Sequence, residues 1–265
     1  MKSTRVIVAG IAIDNMTMAE ALSSIEEMIR KGEPSYVVTP NVDCIVKLQK
    51  DSEFRHIYEE AACLLPDGMP LLWASKFLRT PLREKVSGSD LVPKIAEIAA
   101  QKGYKLFFLG GRPGAAQKAK EAMEKRFPSI NVVGVYSPPF GFEHNAGENK
   151  KIERMIKETA PDILFVGLGT PKQEKWIYGH YKELGVPVCS GVGVTFEFMA
   201  GMVRRAPCWM QRSGLEWLWR LMKEPRRLWK RYLIDDMQFF GLIFSQKSRI
   251  FSENRKIHGR RHSHE

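Results

Sequence analysis

The sequence predicts an α/β fold, in which helices cover both faces of a mostly parallel sheet, with a C-terminal helical appendage. Strand-like and helix-like segments alternate through residues 1–195, and only helix-like segments follow Gly201. The strand-like segments are short, almost continuous apolar runs, as is typical of strands buried on both faces. We therefore expect an α/β core at 1–200, an appendage at 201–246 and a flexible tail at 247–265.

The core elements follow one another in the order expected for parallel strands joined by helices. Short apolar runs predict strands at 6–9, 36–39, 63–65, 106–109, 132–136, 163–166 and 186–190. Apolar residues that recur every three or four positions predict helices at 18–31, 42–50, 91–101, 115–126, 152–158 and 173–184. The loops after the strands should meet at one edge of the sheet, where open α/β sheets bind their ligands.

The appendage is predicted to consist of two helices, at 215–223 and 228–244, separated by Pro225. The second helix has large apolar residues on one stripe, namely Trp229, Leu233, Met237, Phe240 and Phe244. Residues 201–265 carry 15 Lys and Arg against 6 Asp and Glu, which is +9 of the chain's net charge of +11. Four of the six tryptophans also lie here, at positions 209, 217, 219 and 229.

Two interpretations of this basic, Trp-rich segment stay open. Cations beside aromatic rings suit an anionic membrane surface, where the rings lie at the interface and the cations contact phosphate. The alternative is a helical subdomain with a buried Trp cluster and a solvated basic face.

Several classes of protein are disfavoured by the composition. The start of the chain lacks the charged, apolar and cleavage regions of a signal peptide, and no run approaches the roughly 18 apolar residues of a spanning helix.

The four cysteines, at positions 44, 63, 189 and 208, lack metal-site spacing and are expected to be reduced thiols, mostly buried, in a cytosolic protein. There is no D-x-D, P-loop or G-x-S-x-G motif. We therefore expect no metal site and no cofactor.

Three loops after strands are candidate sites. Asp67 follows an apolar strand, so its carboxylate could act as a general base at the rim of the sheet; Asp-Gly after a strand is also a common turn. The Gly-rich loop 110–114 could present backbone N–H groups to a phosphate or be an ordinary turn. The junction 167–176 offers Lys172 and Gln173 to a ligand, or only caps a helix.

Eight motifs occur in a fixed order along the chain: T-P-N-V-D at 39–43, P-D-G-M-P at 66–70, V-S-G-S-D-L at 86–91, G-G-R-P-G at 110–114, V-G-L-G-T-P-K-Q-E-K-W at 166–176, G-V-G-V-T-F-E-F-M-A-G at 191–201, R-R-A-P at 204–207 and G-L-E-W-L-W-R-L-M-K-E-P-R-R at 214–227. Each motif is weak alone, but the ordered set resembles the WecG/TagA/CpsF glycosyltransferase family.

That resemblance implies inverting, metal-independent transfer of a sugar, typically N-acetylmannosamine or its uronic acid, from a UDP donor. The implied acceptor is a polyprenyl-diphosphate-linked GlcNAc, used in cell-surface polysaccharide or teichoic-acid-type synthesis. A Rossmann-like core and an appendage that meets the membrane are implied as well. The expected location is therefore the cytoplasmic face of the cell membrane, with an anionic membrane surface as partner and no nucleic acid; the oligomeric state stays open.

The resemblance also assigns residues. Asp67 matches the proposed general base, Thr39 and Asn41 match pocket residues, and Gln173 matches a ligand-binding glutamine. The arginine that usually precedes V-x-G-x-D is replaced by Lys85, with Arg83 two residues earlier, so both are candidates. The expected substrate-binding set also contains Asp90, Gly110, Gly111 and Glu174.

Without a metal, cations must stabilise the leaving diphosphate. Besides Lys85, the candidates in the appendage are Arg205, Arg220, Arg226, Arg227 and Arg231, since the planar guanidinium binds two phosphate oxygens at once. Two alternatives from other classes are a basic nucleic-acid-binding protein that uses the C-terminal helices and a nucleotide-sugar oxidoreductase that uses the core. The missing G-x-G-x-x-G motif argues against the oxidoreductase.

Overall fold

The computed structural model describes the backbone of residues 4–261 and the side chains of residues 4–252. The strands are β1 (Arg5–Val8), β2 (Ile11–Asp14), β3 (Ser35–Val38), β4 (Cys63–Leu64), β5 (Lys105–Gly110), β6 (Asn131–Tyr136), β7 (Ile163–Gly167) and β8 (Val188–Gly191). The core helices are α1 (Met18–Lys31), α2 (Val42–Leu48), α3 (Ser52–Glu59), α4 (Met69–Phe77), α5 (Gly88–Lys102), α6 (Ala115–Arg126), α7 (Ala146–Thr159), α8 (Lys172–Leu184) and α9 (Thr195–Met199).

The main sheet has six parallel strands in the order β4-β3-β8-β7-β5-β6, which confirms the predicted fold class. Successive side chains of a strand point to opposite faces. On β7, Leu164 and Val166 join one buried cluster, whereas Ile163 and Phe165 join the other. Each face of the sheet is therefore covered, as the continuous apolar strands predict.

The first predicted strand, at 6–9, lies outside the main sheet. It forms β1, which pairs antiparallel with β2 in a hairpin. The two turn residues, Ala9 and Gly10, have φ values of 50° and 77°, as a tight hairpin turn requires. At the end of β2, the buried Asp14 accepts hydrogen bonds from Arg5 Nε at 3.0 Å and from the Leu64 N–H at 2.8 Å. The hairpin is thereby fixed to the strand that leads to Asp67.

The appendage contains α10 (Cys208–Arg212), α11 (Glu216–Lys223), α12 (Pro225–Lys230), a π-helical turn (Arg231–Asp235) and α13 (Gln238–Arg261). The helix expected at 228–244 is thus interrupted, because the π turn and Asp236–Met237 separate α12 from α13. The segment expected to be a flexible tail is helical as far as Arg261; residues 262–265 lie outside the described residues.

The long helix α13 packs on the core. Phe239 and Ile243 are buried in the same cluster as Ile45 and Phe54 of the core helices. Gln246 accepts a hydrogen bond from the Ala9 N–H at 2.7 Å and donates one to the Ile7 carbonyl at 2.9 Å. The apolar stripe predicted from the sequence does not face the core, and its residues are half-exposed. The residues of α13 that are buried against the core, Phe239 and Ile243, do not belong to the predicted stripe.

None of the four tryptophans of the appendage is buried. This arrangement favours the interfacial interpretation of the segment over the buried Trp cluster. Among residues 4–261, no helix has the length and apolar composition needed to cross a bilayer. Cys44, Cys63 and Cys189 are buried free thiols, as expected, and Cys208 is exposed.

Candidate active site

A cleft of about 1210 Å³ lies at the carboxyl edge of the sheet. Residues within three positions of the ends of β3, β4, β5, β7 and β8 line its base, namely Thr39, Asp67, Gly111, Leu168 and Val192. Residues of α11, α12 and the π turn line the opposite wall. The strand-end loops therefore meet as predicted, and the appendage forms part of the same cleft.

A tight contact holds the appendage against α4, the helix that begins just after Asp67. Gly214 has a φ of 72°, and a Cβ at this position would lie 2.5 Å from the Trp73 ring and 2.8 Å from the Met69 Cβ. Only glycine fits both the backbone conformation and the space. The glycine that opens the G-L-E-W motif is thus explained by the docking of the appendage on α4.

Asp67 is held by backbone hydrogen bonds from two remote segments. Its N–H donates to the Pro40 carbonyl at 2.9 Å, and the Val86 N–H donates to the neighbouring Pro66 carbonyl at 2.8 Å. Burial, more than any neighbouring charge, raises the pKa of the Asp67 carboxyl to about 7; the Glu216 carboxylate adds to the rise and Lys85 opposes it. A carboxyl with this pKa is suited to accept a proton near neutral pH.

Four charged residues form a network beside Asp67. Arg205 donates to Asp90 Oδ1 at 2.7 Å and to Glu216 Oε1 at 3.1 Å, and Lys85 Nζ lies 2.9 Å from Asp90 Oδ2. Burial would raise the pKa of Asp90, but its hydrogen bonds with Arg205, Ser87 and Lys85 outweigh burial and lower it to about 2. Asp90 therefore stays ionised and orients two cations instead of lining the cleft itself.

The two candidate cations for the pocket are clearly separated. Lys85 lines the cleft. Arg83 lies outside it, where its guanidinium pairs with Glu20 and its Nε donates to the Asn15 carbonyl at 3.1 Å. The expectation that included Arg83 in the pocket is thus not supported by its position, because its donors contact Asn15 and Glu20 of α1.

Asn41 caps α2, since its Oδ1 accepts from the Cys44 N–H at 3.2 Å. The same oxygen lies 3.5 Å from Arg231 Nη2, and this guanidinium lies 3.5 Å from Asp43 Oδ2. Burial raises the pKa of the neighbouring Asp236 to about 6, although Arg231 opposes the rise. Arg231 therefore lines the cleft, and its guanidinium lies near Asp43 of the core and Asp236 of the appendage.

Gln173 joins two of the strand-end loops. Its Oε1 accepts from the Gly169 N–H at 3.2 Å and from the Gly193 N–H at 3.0 Å, and its Nε2 donates to Glu174 at 2.9 Å. A Cβ at Gly191 would lie 2.6 Å from that nitrogen. Burial raises the pKa of Glu174, against the hydrogen bonds from Gln173 and Thr170. Both residues line the cleft, and Gln173 fixes its shape.

The Gly-rich loop at 110–114 has fewer free donors than a phosphate cradle needs. The Gly111 N–H donates to the Gly167 carbonyl at 2.7 Å, and the Arg112 N–H donates to Glu197 Oε1 at 3.1 Å. Gly111 lines the cleft, whereas the Gly110 carbonyl accepts from Ser137 Oγ at 3.0 Å. These contacts favour the interpretation as a structural turn.

Of the appendage arginines, Arg205, Arg220, Arg227 and Arg231 line the cleft. Arg226 is exposed and does not line it. Within the part of the chain that the structure describes, no three His, Cys, Asp or Glu side chains are grouped so that they could hold a metal ion.

Several acidic residues that line the cleft were missed as site residues, and Glu216 and Glu197 are two of them. Glu216 raises the pKa of Asp67 and binds Arg205, and Glu197 accepts from the Arg112 N–H. The other oxygen of Glu197 is buried and has no hydrogen-bond partner among the described residues. Both lie within quoted motifs, G-L-E-W and T-F-E-F, so a search for acids inside every motif could have found them.

Comparisons with known proteins match nearly the whole chain. The model of the glycosyl transferase WecG/TagA/CpsF family matches residues 6–252. Two similar proteins, from Staphylococcus aureus strains MW2 and NCTC 8325 / PS 47, are each named N-acetylglucosaminyldiphosphoundecaprenol N-acetyl-beta-D-mannosaminyltransferase. Each is 28% identical over 235 residues, which cover 86% of this chain and 87% of the relative.

Proposed function

This chain belongs to the WecG/TagA/CpsF family of glycosyl transferases, and from this premise we propose that it transfers N-acetylmannosamine from a UDP donor to GlcNAc linked by diphosphate to a polyprenol. The relatives are named for the same sugar and the same kind of lipid acceptor. Neither the nucleic-acid-binding nor the oxidoreductase alternative has support from the comparisons.

The observation that carries the proposal is Asp67 beside a group of cations. Its carboxyl has a pKa of about 7, so near neutral pH a substantial fraction is ionised and ready to accept a proton. Lys85, Arg220 and Arg227 line the same cleft. A base and several cations in one cleft suit a reaction in which a hydroxyl loses a proton while a diphosphate departs.

In the proposed reaction, the Asp67 carboxylate accepts the proton of an acceptor hydroxyl. The hydroxyl oxygen forms a bond to the anomeric carbon of the donor sugar, on the face opposite the leaving group. The bond between that carbon and the diphosphate oxygen breaks, and its electron pair leaves with UDP. A single displacement of this kind inverts the configuration at the anomeric carbon.

The leaving diphosphate gains charge as that bond breaks. Lys85 belongs to the charged network beside Asp67, and Arg220 and Arg227 of the appendage line the same cleft. Arginine offers a planar pair of donors to phosphate oxygens. We therefore propose that these side chains stabilise UDP without a metal ion.

The acceptor is anchored in a membrane, so the enzyme must approach the lipid surface. The appendage presents exposed Trp209 and Trp229 together with exposed Arg226 and Lys230. Rings at the interface and cations on anionic headgroups could hold the protein there. We propose a peripheral association with the cytoplasmic face of the cell membrane.

The test is UDP release across a panel of UDP-sugars, with a lipid-diphosphate-GlcNAc analogue as acceptor and a lipid diphosphate without GlcNAc as control. We expect release with UDP-N-acetylmannosamine only when the GlcNAc acceptor is present. Preference for another UDP-sugar would correct the donor. No release with any sugar would contradict the proposed donor class.

A further inference from the structure

An apolar strip leads out of the cleft along two helices that are remote in sequence. Trp73 and Phe77 lie one turn apart on α4, and Phe240 and Phe244 lie one turn apart on α13. Trp73 and Phe240 line the cleft, and the Phe77 and Phe244 rings meet edge to face with centroids 5.5 Å apart. The inner pair thus opens into the cleft, and the outer pair continues the same faces beyond it.

These four large aromatic side chains, named here the prenyl strip, are exposed to solvent. Their exposed fractions are 46% for Trp73, 45% for Phe77, 49% for Phe240 and 62% for Phe244. Contiguous apolar surface that borders a polar cleft commonly marks a binding site. The buried side of α13, with Phe239 and Ile243, packs in the core cluster, whereas Phe77 and Phe244 meet at the exposed edge of this contact.

A cation closes the outer end of the strip. Lys247 Nζ donates to the Phe77 carbonyl at 2.6 Å and lies 5.2 Å from the centroid of the Phe77 ring. At its inner end the strip opens into the cleft, which Arg231 and Lys85 also line. A prenyl diphosphate that runs from the active site to an anionic membrane surface would thus meet cationic side chains first, then the aromatic side chains of the strip, and then Lys247.

We propose that the prenyl strip binds the first isoprene units of the acceptor's polyprenyl chain, next to its diphosphate. This inference rests on the proposed function. One helical turn of four residues advances about 6 Å, so the strip accommodates roughly one or two isoprene units and the remaining chain stays in the membrane. Its role is to recognise the lipid part of the acceptor separately from the sugar.

The experiment compares two water-soluble acceptors in buffer without detergent or membranes. In both, GlcNAc is linked through diphosphate, to a methyl group in one and to a geranyl chain in the other. We expect kcat/KM to be about 10- to 100-fold higher for the geranyl acceptor, because burial of hydrocarbon favours binding. The variant Phe77→Ser/Phe244→Ser should lose this preference and keep the wild-type kinetics with the methyl acceptor.

Trp209→Ser is the matched control, because this tryptophan is also exposed on the appendage but does not line the cleft. It should keep the geranyl preference. Equal kcat/KM for the two acceptors, or an equal loss in Trp209→Ser, would overturn the prenyl strip while leaving the proposed function intact. A change in oligomeric mass of the double variant would instead assign the strip to self-association, and inactivity with both acceptors would overturn both proposals.

Discussion

Arg205 of the appendage and Asp90 of the core are joined by a hydrogen bond of 2.7 Å between Nη1 and Oδ1. The same guanidinium holds Glu216, so one arginine connects α11 to the start of α5. Glu216 raises the pKa of Asp67, whereas Arg205 lowers it. The docking of the appendage and the protonation of the candidate base are therefore coupled.

This coupling predicts opposite pH shifts in two variants. In the wild type, kcat/KM should rise with pH and level off above about 7, because Asp67 must lose its proton before it can act as base. Glu216→Gln removes a negative charge and should move this limb to lower pH by roughly 0.5 to 1 unit. Arg205→Met should move it to higher pH. A loss of activity without opposite shifts would assign both residues a purely structural role.

Lys85 and Arg83 should differ sharply in their effect on transfer. Lys85→Ala removes a cation of the cleft, so we expect kcat to fall roughly 100-fold, and Lys85→Arg should restore most of it. Arg83→Ala breaks exposed contacts with Glu20 and the Asn15 carbonyl, outside the cleft, so kcat should change less than about threefold. Steady-state kinetics of the three variants measure this, and the reverse ranking would assign the role to Arg83.

Transfer should survive chelation. The proposed stabilisation of UDP depends on lysine and arginine side chains, which EDTA does not remove. Rates measured with EDTA and with added Mg²⁺ or Mn²⁺ should agree within error. Loss of turnover in EDTA that a divalent ion restores would show that the cations of the cleft are insufficient.

The exposed cations of α12 should contribute to membrane binding. Arg226→Ser/Lys230→Ser should weaken binding to anionic liposomes roughly tenfold or more, because each cation near an anionic surface contributes about 1 kcal/mol. Lys118→Ser/Lys125→Ser on α6 removes the same charge elsewhere and serves as control. High salt should weaken the wild type only in part, since the aromatic contacts persist. Equal losses in the two variants would indicate a response to net charge alone.

The parallel sheet and the meeting of its strand-end loops follow from the sequence. Short apolar runs between helical segments allow few arrangements. Thr39 ends a predicted strand, Asp67 follows another, and Gln173 lies at a predicted junction of strand and helix. The structure brings all three to one cleft. The positions of these residues along the chain were enough to predict a shared site, because the carboxyl ends of parallel strands lie at the same edge of the sheet.

The docking of the appendage could not be predicted in the same way. The stripe through Trp229, Met237 and Phe244 has helical spacing but is half-exposed, whereas Phe239 and Ile243 enter the core. Periodicity identifies an apolar face without stating what covers it. The ion pairs of Arg205 with Asp90 and of Arg231 with Asp43 join residues more than 100 positions apart, so no local pattern reveals them.

A folding control precedes the central test, which uses Asp67→Asn. The pKa of Asp67 is raised from 3.8 to about 7 on folding. The contribution of Asp67 to the free energy of unfolding is therefore fully present below pH 3.8. It is lost progressively as pH rises from 3.8 to about 7. Because asparagine stays neutral, the Tm of the variant should exceed that of the wild type by a margin that grows between pH 4 and pH 7 and is constant above it.

The decisive measurement is the single-turnover rate of sugar transfer by Asp67→Asn at pH 8, with saturating UDP-sugar and the lipid-diphosphate-GlcNAc analogue. We expect UDP binding to match the wild type and the transfer rate to fall about 10²- to 10⁴-fold, since asparagine cannot accept the hydroxyl proton. A variant that binds UDP normally and retains more than about half of the wild-type rate would show that Asp67 is not the base.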